Sequence, residues 1–362
     1  MNRNTRELHT MGQRLWLDNI TRDLLGNGTL ARYIAELSVT GLTSNPTIFE
    51  HAIAGGTSYD SAIRKLAAQG LSSEDIFFDL ALQDLTQAAD LFRPIFEESV
   101  GIDGWVSLEV SPLHANDSAH TIKAASQLHA RALRPNLFIK IPGTPAGIPA
   151  IEQSIFNGVP INVTLLFTRE HYLAAAEAYM RGIERRIVAG LDPRIESVAS
   201  LFVSRWDVAV KDEISTQFHN RLGVAVAMQT YTAYRSLLAS ERWQKLAAEG
   251  ARPQRLLWAS TGTKDPAAPD TFYVSALVAP DTINTIPEKT LLAFADHGKA
   301  GVALPADGGY AEAVLAEFRR EGIDTDSFAV RLQNEGVEAF AISWSALLAR
   351  IGEKCVQPPN AQ

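Results

Sequence analysis

Short apolar runs alternate along this sequence with longer segments whose apolar residues recur at helical spacing. Runs of five to seven apolar residues bounded by polar or turn residues are typical of buried strands. Eight such runs are present, at positions 15–19 (LWLDN), 41–45 (GLTSN), 105–110 (WVSLEV), 136–141 (NLFIKI), 161–167 (INVTLLF), 198–203 (VASLFV), 256–260 (LLWAS) and 282–286 (TINTI).

The segments between the runs carry the signals of amphipathic helices. In segment 72–92 apolar residues recur near helical spacing, and Ser72 or Ser73 is a candidate to cap the N-terminus of the helix. Thr168 is placed to cap a helix that runs to Val188. Segment 222–247 predicts a single long helix before the seventh run.

Regular alternation of strands and helices predicts parallel strands joined by helical connections. Eight such units predict an α/β fold, a closed (β/α)8 TIM barrel, over about residues 14–300. The chain after Pro287 carries only helical patterns, at 288–297, 310–320 and 336–351, so about 301–355 is predicted to be a C-terminal helical extension. No repeat or linker interrupts the sequence, and we expect one domain over residues 1–362.

Composition narrows the classes of function. A chain that is 46% hydrophobic and 20% charged is typical of a globular protein in water. The net charge of −8 without a long basic run argues against nucleic-acid binding, although a small anionic substrate needs only a local basic pocket. The sequence has a single cysteine, Cys355, and no signal peptide, so we expect a cytoplasmic protein. No apolar run approaches 18 residues, so no membrane segment is predicted.

Lys140 stands out because it ends an apolar strand just before a Pro-Gly turn. The period of two along a strand places Phe138 and Lys140 on one face, with Leu137, Ile139 and Ile141 on the other. An unpaired ammonium is costly to bury. Lys140 is therefore either a strand-end lysine that extends into solvent or a residue with a chemical task.

Polar residues also occur at the carboxyl ends of other predicted strands, where a barrel of this type carries its catalytic groups. Each of them alone is explained by a turn, a surface position or a satisfied polar pair. Together they are expected to meet at one mouth of the barrel. The residues are Asp18, Thr43, Asn45, Glu109, Asn162, Thr164, Ser200, Arg205 and Ser260.

Several kinds of chemistry are disfavoured by the sequence. The eight histidines are scattered and no cysteine cluster exists, so no metal site is predicted. There is no G-x-S-x-G element for a serine nucleophile, and GTPAG after Lys140 is too short for a phosphate-binding loop. A lysine beside carboxylates fits an amine nucleophile that forms a Schiff base with a carbonyl substrate. Burial of a lysine favours the neutral amine, the form that attacks a carbonyl carbon.

Several segments resemble the transaldolase family, in particular its longer bacterial form. The resemblance extends from about residue 10 to residue 300, with the motifs in the family's order and spacing. Its segments are LWLDNITRDLL, GLTSNPTIFEHAI, NLFIKIPGTPAGIPAIE, GVPINVTLLF, LLWASTGTKDP and DTINTIPEKT.

The resemblance implies a Schiff-base lysine on the fourth strand, which is Lys140 here. It implies that Asp18 and Glu109 transfer protons, with Thr164 and a water assisting Glu109. Residues implied to position water, substrate and its phosphate are Thr43, Asn45, Asn162, Ser200, Arg205 and Ser260. One departure is Gly262, where many relatives carry an arginine, and we expect Lys264 to substitute for it.

By this resemblance the protein is expected to be a transferase of the pentose phosphate pathway. It would move a dihydroxyacetone unit between sedoheptulose 7-phosphate or fructose 6-phosphate and an aldose phosphate, with no metal or organic cofactor. A homodimer is the candidate assembly. The alternatives are a fructose-6-phosphate aldolase-type lyase that releases dihydroxyacetone, a pyridoxal-phosphate enzyme with a Schiff-base lysine, and a catalytically silent barrel scaffold. The presence of Lys140 and both acids argues against the scaffold.

Overall fold

Eight parallel strands form the centre of the molecule in a computed structural model that describes residues 2–356. They hydrogen-bond in sequence order, and the first strand also pairs with the last, so the barrel is closed. All eight predicted strands are confirmed, with bounds that shift by one or two residues. They are β1 (Arg14–Asp18), β2 (Val39–Thr43), β3 (Val106–Glu109), β4 (Leu137–Pro142), β5 (Ile161–Leu166), β6 (Ser197–Phe202), β7 (Arg255–Ala259) and β8 (Ile283–Ile286).

One helix precedes the first strand, and the others connect the strands or follow the last of them. Within residues 2–112 they are α1 (Arg3–Thr10), α2 (Arg22–Gly26), α3 (Thr29–Leu37), α4 (Pro46–Ala54), α5 (Asp60–Ala67) and α6 (Ser73–Glu98). Those between β3 and β7 are α7 (Ser118–Ala132), α8 (Gly147–Phe156), α9 (Arg169–Val188), α10 (Ser204–Val210), α11 (Leu222–Ala239) and α12 (Glu241–Ala248). The remaining ones are α13 (Phe272–Ala276), α14 (Glu288–His297), α15 (Ala311–Arg320) and α16 (Thr325–Val356).

Two predicted caps are present. The hydroxyl oxygen of Ser72 accepts from the backbone N–H of Asp75 at the start of α6. That of Thr168 accepts from the N–H of His171 at the start of α9. Both satisfy a donor that the first turn of a helix leaves unpaired.

The prediction of a single helix over 222–247 is wrong, because the chain breaks at Ser240 between α11 and α12. Ser240 has an extended backbone, with φ −67° and ψ 146°, and its hydroxyl oxygen accepts from the N–H of Trp243. A serine side chain can replace helical hydrogen bonds in this way, so it ends one helix and starts another. The break lets Trp243 and Leu246 bury against the rest of the molecule.

The helical extension also differs from its prediction in extent. The helix predicted at 288–297 matches α14, and that at 310–320 matches α15. The last helix, predicted at 336–351, is the 32-residue α16, which starts at Thr325. Residues 298–310 are not helical.

Aromatic rings fill the barrel on the amino-terminal side of Lys140. The rings of Trp105 and Phe138 stack with centroids 4.1 Å apart, and Trp16 lies 6.2 Å from Phe138. A side chain at Gly41 would come within 2.6 Å of the Trp16 ring, so glycine is required there. The opposite face of β4 packs against the helices, as the alternation predicted, through Leu137, Ile139 and Ile141.

No helix in the described part of the chain has both the length and the apolar character needed to cross a membrane.

Candidate active site

The strand register aligns the predicted site residues across the barrel. Asp18 on β1 pairs with Thr43 on β2, and Glu109 on β3 pairs with Lys140 on β4. Lys140 pairs in turn with Asn162 on β5. Asp18, Thr43 and Glu109 are the last residues of their strands, and Lys140 contacts Glu109. These side chains therefore form one layer at the carboxyl ends of the strands.

Lys140 is buried and paired. Its Nζ donates to the backbone carbonyl of Ser44 at 2.6 Å and lies 3.3 Å from Oε2 of Glu109. Lys140 is 6% exposed and Glu109 is 4% exposed, so little of this pair contacts solvent. The interpretation of Lys140 as a lysine that extends into solvent does not fit this geometry.

Asp18 lies in a chain of hydroxyl groups. Its Oδ1 accepts from Oγ1 of Thr43 at 2.8 Å, and that hydroxyl is 2.6 Å from Oγ1 of Thr285. A hydroxyl has one proton, so Thr285 donates to Thr43 when Thr43 donates to Asp18. Burial raises the pKa of Asp18, while Lys140, the Thr43 hydrogen bond and Lys264 act in the opposite direction.

One carboxylate oxygen of Glu109, Oε2, contacts Lys140, and the other makes no hydrogen bond within residues 2–356. Burial raises its pKa, and the nearby Lys140 ammonium opposes the rise. Oε1 of Glu109 and Oγ1 of Thr164 are both buried and have no hydrogen-bond partner in the described part of the chain. Buried polar atoms of this kind are available to a water or a substrate hydroxyl.

Two hydrogen bonds fix the Asn162 side chain. Its Nδ2 donates to Oγ of Ser107 at 3.2 Å, and its Oδ1 accepts from Oγ of Ser200 at 2.7 Å. Asn45 has a different role in the fold, because its Oδ1 accepts from the N–H of Ile48 and caps α4. Asn45 is therefore a helix cap and not the turn residue considered from the sequence, and it also lines the cavity.

A cavity of about 160 Å³ lies above this layer, at the carboxyl ends of the strands. Every predicted site residue except Glu109 lines it, and Glu109 contacts the cavity-lining Lys140. Its wall is completed by Phe202, Ala259, Gly262, Thr285, Pro287 and Phe340. Over residues 2–356, no three His, Cys, Asp or Glu side chains are grouped closely enough to hold a metal ion.

The cationic side chains of the cavity are Arg205 and Lys264, in addition to Lys140. The Arg205 guanidinium lies over the Phe202 ring, 5.0 Å from its centroid, and burial lowers its pKa while Glu335 and Glu109 raise it. Within residues 2–356 it has no carboxylate within 4.0 Å, so its donors are free for a ligand. Lys264 is exposed and lines the same cavity.

The loop after β7 contributes its cationic side chain to the cavity at Lys264 and not at position 262. Ser260 has φ +55° and its hydroxyl is 2.9 Å from that of Ser204. Gly262 is part of the cavity wall, where an added Cβ would lie 3.2 Å from Pro287 Cγ. No cationic side chain can start from this glycine, and the next one along the loop is Lys264.

Sequence reasoning did not single out the polar Ser107 and Thr285 or the wall residues Phe202, Ala259, Pro287 and Phe340. Ser107 lies two residues before Glu109 and Thr285 lies in the eighth run, so strand alternation offered a signal for both. Phe340 lies on α16, far along the chain from any strand, and nothing in its sequence context indicates the cavity.

Comparison with known proteins gives one family. Residues 15–351 match the family described as Transaldolase/Fructose-6-phosphate aldolase. A protein named Transaldolase from Thiobacillus denitrificans is 44% identical over 356 residues, covering 96% of this chain and 99% of the relative. Another from Acidothermus cellulolyticus is 44% identical over 95% of both chains. With this match and these relatives, the chain belongs to the transaldolase/fructose-6-phosphate aldolase family.

Proposed function

We propose that the protein is a transaldolase, which transfers a dihydroxyacetone unit from a ketose phosphate to an aldose phosphate through a Schiff base on Lys140. The observation that carries the proposal is the buried Lys140 amine, in contact with Glu109, at the wall of a cavity that also holds Arg205 and Lys264. The relatives named Transaldolase over nearly the whole chain support it.

The first step joins Lys140 to the donor. Its neutral amine attacks C2 of fructose 6-phosphate or sedoheptulose 7-phosphate, and the amine proton passes to the former carbonyl oxygen. That hydroxyl then leaves as water and an iminium forms. Glu109 is placed to supply and take up these protons, with the Thr164 hydroxyl and a water.

The second step breaks the C3–C4 bond. Asp18 takes the proton of the C4 hydroxyl, the C4 oxygen becomes an aldehyde, and the electron pair of the bond moves into the iminium to give an enamine. The hydroxyl chain of Thr43 and Thr285 holds the Asp18 carboxylate in place. The aldose phosphate leaves while the dihydroxyacetone unit stays on Lys140.

The third step reverses this chemistry with a new aldehyde. The enamine attacks the aldehyde carbon of glyceraldehyde 3-phosphate or erythrose 4-phosphate, and Asp18 returns its proton to the new hydroxyl. Hydrolysis of the iminium frees the ketose and Lys140. Arg205 and Lys264 hold the phosphate group, Arg205 by parallel N–H donors and Lys264 by its charge.

Borohydride reduction with fructose 6-phosphate tests the proposal. Reduction of the iminium gives a stable secondary amine, which peptide mass mapping should find at Lys140. The Lys140→Met variant keeps the apolar stem without the amine, so it should fold, resist labelling and lack activity. Label at Lys123 or Lys211, or activity in the variant, would contradict the proposal.

A second measurement separates transfer from release. Without an acceptor, a fructose-6-phosphate aldolase releases free dihydroxyacetone at every turnover, whereas a transaldolase retains it on the lysine. We expect steady turnover only when glyceraldehyde 3-phosphate or erythrose 4-phosphate is added.

We further propose that residues 1–362 form one domain, with the barrel over about 14–300 and the extension over about 301–355. Contacts of α16 with the cavity support this, because Phe340 completes its wall. With these sugar phosphate substrates the proposed reaction would belong to the pentose phosphate pathway, and we propose a cytoplasmic location for it. Sedimentation would test the proposed homodimer.

A further inference from the structure

Helix α16 is fixed at the barrel mouth by polar and aromatic contacts along its length. Oγ1 of Thr47, on α4, donates to Oγ of Ser343 at 2.8 Å. The Trp344 ring packs edge-on against Phe77 of α6, 4.9 Å between centroids. Near the end of the helix, Nζ of Lys354 donates to the carbonyl of Gly56 at 2.7 Å. The helix is therefore held in one place relative to the strands.

Gln333 is the residue of α16 that binds the ends of two catalytic strands. Its Nε2 donates to the carbonyl of Gly143 at 3.1 Å and to that of Leu165 at 3.0 Å. Gly143 directly follows β4, three residues after Lys140, and Leu165 directly follows Thr164. An amide group has two donor hydrogens, so this buried side chain uses both on the barrel.

The backbone that Gln333 holds is unusual. Leu165 has φ +57°, a conformation that residues with branched side chains rarely adopt. The register between β5 and β6 shifts between Val163 and Leu166, which marks a bulge. Bulges beside active sites redirect side chains, and such strain persists only when surrounding contacts hold it. Thr164 lies within this bulge, so its direction depends on it.

One helical turn further on, Gly336 allows α16 to come close to the same bulge. A Cβ at this position would lie 2.8 Å from Cδ2 of Leu165 and 3.3 Å from Nη1 of Arg205. Glycine lowers the stability of a helix interior relative to alanine. A glycine here is therefore explained by the close approach of the helix to Leu165 and Arg205.

We propose that Gln333 is a positioning residue for the reaction at Lys140. Its amide ties the end of β4 to the end of β5, holds the bulge at Leu165, and thereby directs Thr164 toward the Lys140–Glu109 pair. Because Gly336 has no side chain, α16 lies close enough to Leu165 for the Gln333 hydrogen bonds to form. The inference rests on the proposed transaldolase function, since it assigns Gln333 a part in forming and releasing the Schiff base.

The variant Gln333→Met tests it, because methionine has a similar shape and no donor. Displacing a reacting group by about 1 Å can lower a rate by about 10²-fold. We expect kcat to fall by about 10-fold or more, with KM for fructose 6-phosphate within about twofold of wild type. Borohydride trapping at Lys140 should slow in parallel. The matched control is Asn334→Leu, the same amide-to-apolar change at an exposed neighbour, which should leave both rates unchanged.

A structural role alone would lower the melting temperature without changing the rate of the folded enzyme. If kcat and trapping rate of folded Gln333→Met equal those of Asn334→Leu, the inference is wrong. If Gln333→Met does not fold, Gly336→Ala decides, since its Cβ presses on Leu165. It should lower kcat and the trapping rate about 10-fold relative to Gly352→Ala, whose added Cβ meets only Ser73 Oγ at 3.7 Å. KM is not the readout, because the Cβ at position 336 also lies 3.3 Å from Nη1 of Arg205. Equal values for these two variants would overturn the inference.

The outcome for wild type separates this inference from the proposed function. A wild-type protein that neither forms a borohydride-stable adduct nor transfers dihydroxyacetone disproves the transaldolase proposal. An active wild type whose Gln333 and Gly336 variants match their controls disproves only the positioning role.

Discussion

Asp18 and Glu109 have different hydrogen-bond partners, although burial raises the pKa of both. Asp18 accepts from a threonine hydroxyl, whereas Glu109 contacts the Lys140 amine directly. A carboxylate held by a hydroxyl is suited to take a proton from the substrate. One that contacts the nucleophile is suited to move protons when the Schiff base forms and breaks.

Substitution of each acid should therefore stop a different step. Removing a positioned acid or base lowers a rate by about 10²–10⁴-fold. Asp18→Asn should still form the borohydride-trapped adduct and stall at bond cleavage, while Glu109→Gln should slow adduct formation and release. Quenched-flow measurements of trapping and of aldose phosphate release distinguish the two.

The pH dependence provides the check on Asp18. The base acts in its ionised form, and burial raises its pKa, so bond cleavage should increase with pH up to a value above about 4, the ordinary range of an aspartic acid. Circular dichroism over the same pH range controls for unfolding. If Asp18→Asn and Glu109→Gln both trap and cleave the donor at wild-type rates, the assignment of roles to the two acids is wrong.

Arg205 and Lys264 should contribute unequally to phosphate binding. Arg205 is half-buried with free donors, whereas Lys264 is exposed and bears a single charged group. We expect Arg205→Ala to raise KM for fructose 6-phosphate most and Lys264→Ala to raise it less, with weak use of unphosphorylated fructose little changed. The ratio of the two KM values is the measurement. A wild-type ratio in Lys264→Ala would show that Lys264 is a surface residue and does not replace the arginine missing at Gly262.

Sequence reasoning could place Lys140 on the same strand face as Phe138 because strand alternation is regular. It could not find the Ser44 carbonyl that accepts from Lys140, since every residue has a carbonyl and only the closed barrel decides which one is near. The bulge at Leu165 was equally hidden, because it depends on Gln333 from a distant helix.

Among the helices, the break at Ser240 makes a stability prediction. Ser240→Ala removes the side-chain oxygen that accepts from Trp243 N–H, and loss of such a cap typically costs about 1 kcal/mol. We expect the free energy of unfolding in urea to fall by about this amount, with kcat and KM unchanged because the break lies outside the cavity. Ser240→Asp keeps an acceptor and serves as the control; equal destabilisation by both would show that the cap has no role.

The errors in helix extent have physical causes. The apolar pattern continues across Ser240 through Leu237, Leu238 and Trp243, so periodicity alone showed no break. The start of α16, before Gly336, was missed because the apolar Phe328 and Leu332 on its buried face are followed by the polar Gln333, where the pattern expects an apolar residue. The strands were easier to predict from the sequence. Both of their faces are buried, so each strand is a nearly continuous apolar run.

At the scale of the whole molecule, the barrel and its extension should unfold together. Residues of α16 such as Phe340 and Trp344 are buried, Trp344 completely, and the helix contacts both strand ends and outer helices. We expect one cooperative transition in denaturant, with the same midpoint by far-ultraviolet circular dichroism and by tryptophan fluorescence. Two separated transitions would show that the extension is an independent unit.

The order of strands and helices along the chain was enough to predict the closed barrel, because eight parallel strands with helical connections have few other ways to bury both faces. The placement of α16 across the mouth was not predictable, since its contacts join residues nearly 300 positions apart, as between Thr47 and Ser343.

The position of α16 along the chain has a consequence for biosynthesis. A ribosome makes all eight strands before it makes this helix, and nascent domains fold as their residues emerge. Until α16 has been made, the chain lacks Gln333 and Phe340, so the cavity wall and the hydrogen bonds to the ends of β4 and β5 are incomplete. Chains released before α16 is complete would therefore turn over substrate more slowly than chains that carry this helix.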